Sequence, residues 1–123
     1  MFNENFMTVV GKEGVVSIVT CDDEGAHVVN TWNSYLAFPG ENRILIPAFG
    51  MRKTQRKMEK NNNVLLTLGS KEVEGKMGPG TGYLIKATGI FKNSGPEFDL
   101  VKSNFSWANR VLEITVSEVK QTI

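Results

Sequence analysis

The chain has 123 residues, of which 41% are hydrophobic, and a formal net charge of +1. A chain of this length usually folds as one domain, so we predict a single domain over residues 1–123. No apolar run approaches the roughly 20 residues of a membrane-spanning helix, and no basic segment precedes an apolar one at the N-terminus. Cys21 is the only cysteine, which excludes an internal disulfide and a cysteine-based zinc site. We therefore expect a cytoplasmic protein that does not enter a membrane.

The composition favours β-structure. Val and Ile number 20, whereas Leu and Ala together number 13. Branching at Cβ suits the pleated surface of a sheet and restricts χ1 in a helix. The 12 glycines provide residues for turns. A mostly β domain follows from these counts.

The sequence of the first half of the chain predicts three strands between two short helices. An acidic turn at Asp22–Gly25 separates the first two strands, and Thr54 is a candidate cap for the second helix. The predicted elements are a helix over Asn5–Lys12, strands over Val15–Cys21, Ala26–Phe38 and Arg43–Phe49, and a helix over Met51–Asn61.

The second half predicts further strands and one more helix. Gly75–Gly82 contains four glycines in eight residues and reads as a loop, while Gly89 suggests a bulge. Ser94 and Glu97 have the spacing of a capping box, which would open a helix carrying Phe98, Val101 and Phe105. Strands are predicted over Val64–Gly69, Tyr83–Lys92 and Arg110–Val116. About six strands with two or three short helices predict a small closed barrel.

A basic segment is the first indication of function. Five cations fall within the nine residues Arg52–Lys60, so this segment carries +4 and the remainder of the chain −3. A solvated helix face is at least as common an explanation as a binding role. However, Gly50–Thr54 follows a strand and opens a helix, where free N–H groups, the helix dipole, a lysine and a hydroxyl would converge on an anion such as phosphate. The spacing is not that of a Walker loop.

The segment VNTWNSYL, residues 29–36, is the second indication. Alternation places Asn30, Trp32 and Ser34 on one face of a strand. The other face carries Thr31, Asn33 and Tyr35, so both faces mix polar and aromatic side chains. A solvent-facing amphipathic strand is one explanation. A flat aromatic ligand with polar edges, held by ring stacking and by amides and hydroxyls, is the other.

Other candidate sites are weak. The glycine loop has no dinucleotide fingerprint, His27 has no partner pattern, and Cys21 lies beside acidic residues that disfavour a thiolate. The carboxylates form no obvious catalytic pair. Any chemistry would therefore be supplied by a cofactor. A net charge of +1 without a broad basic surface argues against nucleic-acid binding.

Together these segments resemble the small FMN-binding proteins of sulfate-reducing bacteria, within the flavin split-barrel group that includes pyridoxamine phosphate oxidases. The most specific segments are VNTWNSYL and GPGTG. The other matching stretches are Glu13–Val16, Asn42–Ile44, Gly50–Met51 with Lys53–Thr54, Thr67–Ser70, Gly95–Phe98 and Gln121–Thr122. The resemblance implies a mainly β, six-stranded antiparallel split barrel with FMN as its cofactor.

The resemblance also implies site residues. Lys53 and Thr54 would hold the flavin phosphate with Gly50 and Met51, while Arg52 lies among them without belonging to the shared motif. The ring would be lined by Asn30, Thr31 and Trp32, with Tyr35 nearby, Pro47–Gly50 at its edge, and Thr81 and Gly82 in its wall. Glu13 would lie near the ring, where its negative charge lowers the reduction potential.

The family is dimeric, which implies a homodimer in which Ile123 reaches the flavin of the partner. Arg56, Lys57 and Lys60 are not family hallmarks and are interpreted as solvated charges. The C-terminal substrate motif of pyridoxamine phosphate oxidases is absent from the sequence, which favours an electron-transfer protein working with a redox protein partner. A flavin reductase or oxidase is the alternative.

Overall fold

The computed structural model describes all 123 residues, which form three α-helices and one seven-stranded antiparallel sheet. The helices are α1 (Glu4–Val10), α2 (Arg52–Lys60) and α3 (Pro96–Asn104). The strands are β1 (Val15–Asp22), β2 (Gly25–Trp32), β3 (Ala37–Gly40), β4 (Arg43–Ala48), β5 (Asn63–Gly75), β6 (Gly78–Lys92) and β7 (Arg110–Gln121). Their order in the sheet is β2-β1-β5-β6-β7-β4-β3. None of the helices has the length and apolar character needed to cross a membrane.

The predicted mainly β fold is confirmed, with seven strands instead of six. Alternate residues of the long strands face a core of 17 buried side chains, to which α1 contributes Phe6 and α2 contributes Met58. Phe6 makes an edge-on contact with Tyr83, with ring centroids 5.1 Å apart. The Tyr83 hydroxyl donates to Asn5 Oδ1 at 2.6 Å, which fixes α1 against the sheet. A smaller apolar cluster joins α3 to β4 and β7.

The predicted long strand Ala26–Phe38 is wrong, because the chain leaves the sheet after Trp32 and makes a 3-10 turn over Asn33–Tyr35. Asn33 is fully buried, and its Nδ2 donates to the carbonyl oxygens of Val9 and Lys12 at the end of α1. These bonds satisfy the Asn33 Nδ2 group, whereas Oδ1 is buried without a partner. The strand ends after Trp32 because the Asn33 side chain bonds to the end of α1 and to the chain that follows it instead of facing the sheet.

The predicted glycine-rich loop at Gly75–Gly82 is also wrong, because β5 and β6 run through it and only Lys76 and Met77 form the turn. The glycines permit an unusually close approach of the two strands. A Cβ on Gly75 would lie 2.1 Å from the Gly80 carbonyl oxygen, and Gly80 itself has φ +103°. Only glycine fits such a pair of positions.

Two local predictions are corrected. The cap of α3 is Gly95, with φ +101° and no side-chain bond from Ser94, and Glu97 forms ion pairs with Arg43 and Lys92. Gly89 lies in regular pairing, and the irregularity falls between Lys86 and Ala87. Position 89 requires a glycine because α2 packs directly against it, and a side chain there would clash with Met58.

Candidate functional site

The junction between β4 and α2 has the backbone geometry of an anion site. Gly50 has φ +80°, and Met51, the N-cap of α2, has φ 54° and is the only non-glycine residue with positive φ. No side chain caps this helix. Its first backbone hydrogen bond runs from the Gln55 N–H to the Met51 carbonyl oxygen. The preceding N–H groups of the first turn therefore remain available at the positive end of the helix dipole.

The side chains at this junction differ in exposure. Arg52 and Lys53 are exposed, and Lys53 borders a polar cavity of about 130 Å³. Thr54, in the first turn of α2, is fully buried, and its hydroxyl has no hydrogen-bond partner. The prediction that Thr54 caps the helix is therefore wrong, because the cap is Met51.

Arg110 reaches the same junction from the start of β7, a contact that sequence reasoning missed. Its guanidinium donates to the Gly50 carbonyl oxygen and to Gln55 Oε1, and it lies over the Phe91 ring at 5.2 Å from the centroid. Only 5% of the residue is exposed. Burial lowers the pKa of Arg110, and the nearby positive charge of Arg52 lowers it further.

Lys57 is a second residue that the sequence misassigned. Its interpretation as a solvated charge is wrong, because its ammonium donates to Asp22 Oδ1 at 2.7 Å and both side chains are nearly buried. It also donates to the Gly25 carbonyl oxygen. Arg56 and Lys60 are exposed, as expected. Lys57 therefore fastens α2 to the β1–β2 turn.

The residues predicted to line a ring lie at the end of β2 and in the turn that follows. The outer face carries Asn30, which accepts a hydrogen bond from the Ser17 hydroxyl at 3.2 Å, and Trp32, which is 44% exposed. Thr31 is buried on the inner face. Tyr35 contacts Phe105 and Trp107, with ring centroids 5.0 and 5.7 Å away. In the folded chain, the β2 part of the VNTWNSYL segment therefore has one exposed face, which carries Asn30 and Trp32, and one buried face, which carries Thr31.

A third group forms where the C-terminal segment meets β6. Gln121 Nε2 donates to the Thr81 hydroxyl at 3.0 Å, and the Thr122 N–H donates to the Gly82 carbonyl oxygen at 2.9 Å. Ile123 is 55% exposed, and its carbonyl oxygen accepts from the Lys76 N–H. Thr81 is buried, so the C-terminal segment lies over Thr81 and Gly82 and exposes Ile123.

Two other predicted residues have local roles. Glu13 is exposed and accepts a hydrogen bond from the Ser34 hydroxyl at 3.4 Å. Pro47 is buried in β4, opposite Val111 of β7.

The Thr81–Gly82 group lies far along β6 from the β4–α2 junction. Gly82 pairs with Gly69, whereas Gly89, seven residues further along, contacts Met58 of α2. Seven residues of a strand span about 23 Å. No hydrogen bond, ion pair or aromatic contact joins the two groups in one chain.

The fold and this arrangement of residues define a split-barrel protein, and comparison with known proteins identifies its family. The chain is 46% identical over 123 residues to the FMN-binding protein of Nitratidesulfovibrio vulgaris (strain DSM 19637 / Miyazaki F), covering all of both chains. It therefore belongs to the same family as that FMN-binding protein. No family model matches the chain.

Solved structures show the same fold at low sequence identity. HupZ of Group A Streptococcus superposes with a TM-score of 0.82 at 12% identity, over 99% of this chain and 94% of HupZ. An FMN-binding protein of Syntrophomonas wolfei gives a TM-score of 0.72 at 14% identity, over 94% of this chain and 82% of that chain.

Proposed function

We propose that this protein binds FMN, with the phosphate at the junction of β4 and α2. The observation that carries the proposal is the uncapped start of α2, where free N–H groups and Lys53 adjoin the buried, unbonded hydroxyl of Thr54. A helix N-terminus with a nearby cation suits a phosphate monoester. The family relationship to an FMN-binding protein supports the same assignment.

The residues of β2 suit the ring of the flavin. Trp32 offers an exposed aromatic surface, and Asn30 and the neighbouring Ser17 offer polar groups on the same face. We assign these residues, with Thr31, Tyr35 and Pro47–Gly50, to binding and orienting the isoalloxazine. Bound FMN would supply the redox chemistry, for which the protein provides the position and the electrostatic surroundings.

We further propose electron transfer as the role of the flavin. The acidic groups with shifted pKa values, Asp22 and Glu113, are held in ion pairs, and neither contacts Asn30, Thr31 or Trp32. The carboxylate next to the ring-lining segment is Glu13, which is exposed and bonded to Ser34, and a single carboxylate without a partner acid or base offers little acid–base chemistry for an organic substrate. Stoichiometric reduction and reoxidation without turnover of organic donors would support this role. Steady turnover with a nicotinamide donor would instead identify a flavin reductase or oxidase.

We propose that the protein acts as a homodimer in which Ile123 reaches the flavin of the partner. Ile123 lies against Gly82, seven residues along β6 from the Gly89 contact with α2, and this separation supports contributions from two copies. The outer face of β1, β2 and β5 also supports a second copy, because Val19 pairs with both Val28 and Leu65 to form an exposed apolar strip.

Lys53→Ala tests the position of the phosphate. Because riboflavin has no phosphate, we expect the variant to bind FMN about 10- to 100-fold more weakly and riboflavin normally. Quenching of flavin fluorescence measures both dissociation constants. Lys60→Ala, an equal change of charge at the other end of α2, is the control and should leave both constants near wild type. Equal weakening of FMN and riboflavin by Lys53→Ala would place the phosphate elsewhere.

A further inference from the structure

Arg110 is a buried cation without an anionic partner. Its hydrogen bonds go to neutral acceptors, namely the Gly50 carbonyl and the side chains of Gln55 and Asn109. The ion pairs of the chain involve Arg43, Lys57, Lys60, Lys86 and Lys92, but not Arg110. Arginine is rarely buried to this degree unless it is paired with an acid, so a negative charge is missing from this site.

The surroundings of Arg110 do not provide that charge. Arg52 lies close enough to lower the pKa of Arg110, after the larger effect of burial, and carries the same sign. Glu113, which lies nearby in β7, is already bound by Arg43 and Lys92. Gln55 presents a neutral amide where a glutamate would have paired with the guanidinium.

The position of Arg110 connects this missing charge to the proposed phosphate. The carbonyl that it holds belongs to Gly50, the residue before the cap of α2. The Thr54 hydroxyl, one turn along, is a second buried polar group without a partner. Both observations point to an anionic ligand at the start of α2.

We propose that Arg110 is the buried counter-charge of a phosphate monoester bound at the start of α2, and that it positions Gly50 for this ligand. The inference rests on the proposed function and adds a residue from β7 to the phosphate site. A phosphate monoester carries a charge between about −1.5 and −2 near neutral pH, which the three positive charges of Arg110, Arg52 and Lys53 are sufficient to balance. Riboflavin, which lacks this charge, would gain nothing from Arg110.

Variants of Arg110 test the charge directly. Arg110→Met keeps an unbranched chain over Phe91 and removes the charge, whereas Arg110→Lys keeps the charge and loses the planar fork. We expect Arg110→Met to weaken FMN binding about tenfold or more while riboflavin binding stays within about twofold, and Arg110→Lys to restore part of the loss. Unchanged FMN binding in Arg110→Met, or equal losses for both ligands, would overturn the proposal.

Gln55→Glu provides a test that keeps Arg110 in place. The new carboxylate would pair with Arg110, so we expect the Tm of the flavin-free protein to rise and FMN binding to weaken, with riboflavin unaffected. All measurements use a Glu59→Gln background, because Gln55 contacts Glu59 at 3.5 Å and a like charge there would confuse the result. Gln55→Met, which removes the acceptor without adding charge, is the matched control and should not raise the Tm.

The two proposals fail separately. If Gln55→Glu leaves the Tm of the flavin-free protein unchanged, Arg110 lacks no counter-charge and this inference is wrong, even where Lys53→Ala remains selective for FMN. If Lys53→Ala weakens FMN and riboflavin equally, the phosphate assignment itself fails. The Gln55→Glu measurement remains informative if Arg110→Met does not fold.

Discussion

At the scale of single residues, the Asp22–Lys57 ion pair affects both the pKa of Asp22 and the position of α2. The hydrogen bond from Lys57 is the main cause that lowers the pKa of Asp22, against the opposing effect of burial. Asp22 joins the β1–β2 turn to α2, and α2 begins at the proposed phosphate junction. The pair therefore positions the helix on which that site depends.

Asp22→Asn should lower the Tm of the protein at neutral pH and make the Tm less sensitive to a fall in pH. A carboxylate whose folded pKa is lowered contributes stability above its ordinary pKa of 3.8, and this is lost as the pH falls through the lowered value. Tm values measured from pH 7 to pH 2.5 will show a smaller decline for the variant than for wild type. Asp23→Asn, which changes an exposed neighbour that forms no ion pair, should follow the wild-type curve.

Glu113 also has a lowered pKa, and its contribution must be separated from that of Asp22. Burial raises the pKa of Glu113, but hydrogen bonds from Lys92 and Arg43 outweigh this effect and lower it. This contribution persists in Asp22→Asn, so some acid sensitivity remains. An identical decline in wild type and Asp22→Asn would show that the Lys57 contact contributes nothing to the pH dependence.

At the scale of elements, the contact between α2 and β6 determines how closely the helix covers the barrel. A Cβ on Gly89 would lie 2.8 Å from Met58 Sδ and 3.1 Å from Ile114 Cδ1. The helix can therefore approach the strand only because this residue has no side chain.

Gly89→Ala should destabilise the fold by about 1–3 kcal/mol, because the methyl group displaces Met58 and overpacks the core. Urea unfolding measures the loss, and Gly89→Ala combined with Met58→Ala should lose less than the sum of the single changes. Gly40→Ala, whose Cβ would meet only Arg43 Cδ at 3.9 Å, is the control. A Gly89→Ala variant as stable as Gly40→Ala would show that Met58 relaxes freely.

The elements also show which features the sequence can predict. The Val15–Cys21 strand and the helix opening after Gly50 were predicted closely, because both depend on local β-branching and local breaks in pattern. The end of β2 was missed because Asn33 bonds to carbonyls of α1, more than 20 residues earlier in sequence. The β5–β6 hairpin was missed because local glycine content does not reveal the strand approach at Gly75 and Gly80.

The same distinction applies to the site. The Gly50–Thr54 junction follows from local sequence, since a strand end, a glycine and a helix start adjoin there. Arg110 could not be found in this way, because its partners Gly50 and Gln55 lie 60 and 55 residues earlier in the chain. The ring-lining residues of β2 remain predictions.

At the scale of the whole molecule, the proposed dimer makes the flavin site a property of two chains. Leu65 is 40% exposed at one end of the apolar strip that it forms with Val19 and Val28. Leu65→Glu should produce monomers because it places charge in the interface, and FMN binding should weaken with dissociation. Sedimentation equilibrium measures the mass. Leu100→Glu, an equal change on the exposed side of α3, should remain dimeric. A Leu65→Glu variant that stays dimeric would exclude this face.

Removal of Ile123 tests the proposed contact across the dimer. The residue is 55% exposed in one chain, while its carbonyl is bound by Lys76. We expect a shift in the reduction potential or in FMN affinity, with mass and far-UV circular dichroism unchanged. Ile90→Ala, which removes a comparably exposed apolar side chain from β6, is the control. A flavin with unchanged potential and affinity would contradict the contact.

The attachment of α2 at three points has a consequence for how the protein meets its ligand. Arg110 holds the residue before the helix, Lys57 bonds to Asp22, and Met58 lies in the core. The hydrogen-bonded amides of a helix held in this way, from Gln55 onward, should exchange with solvent deuterium only when the sheet itself opens. The binding surface is thus already ordered before any ligand arrives, so association should proceed in one kinetic phase without a slow rearrangement.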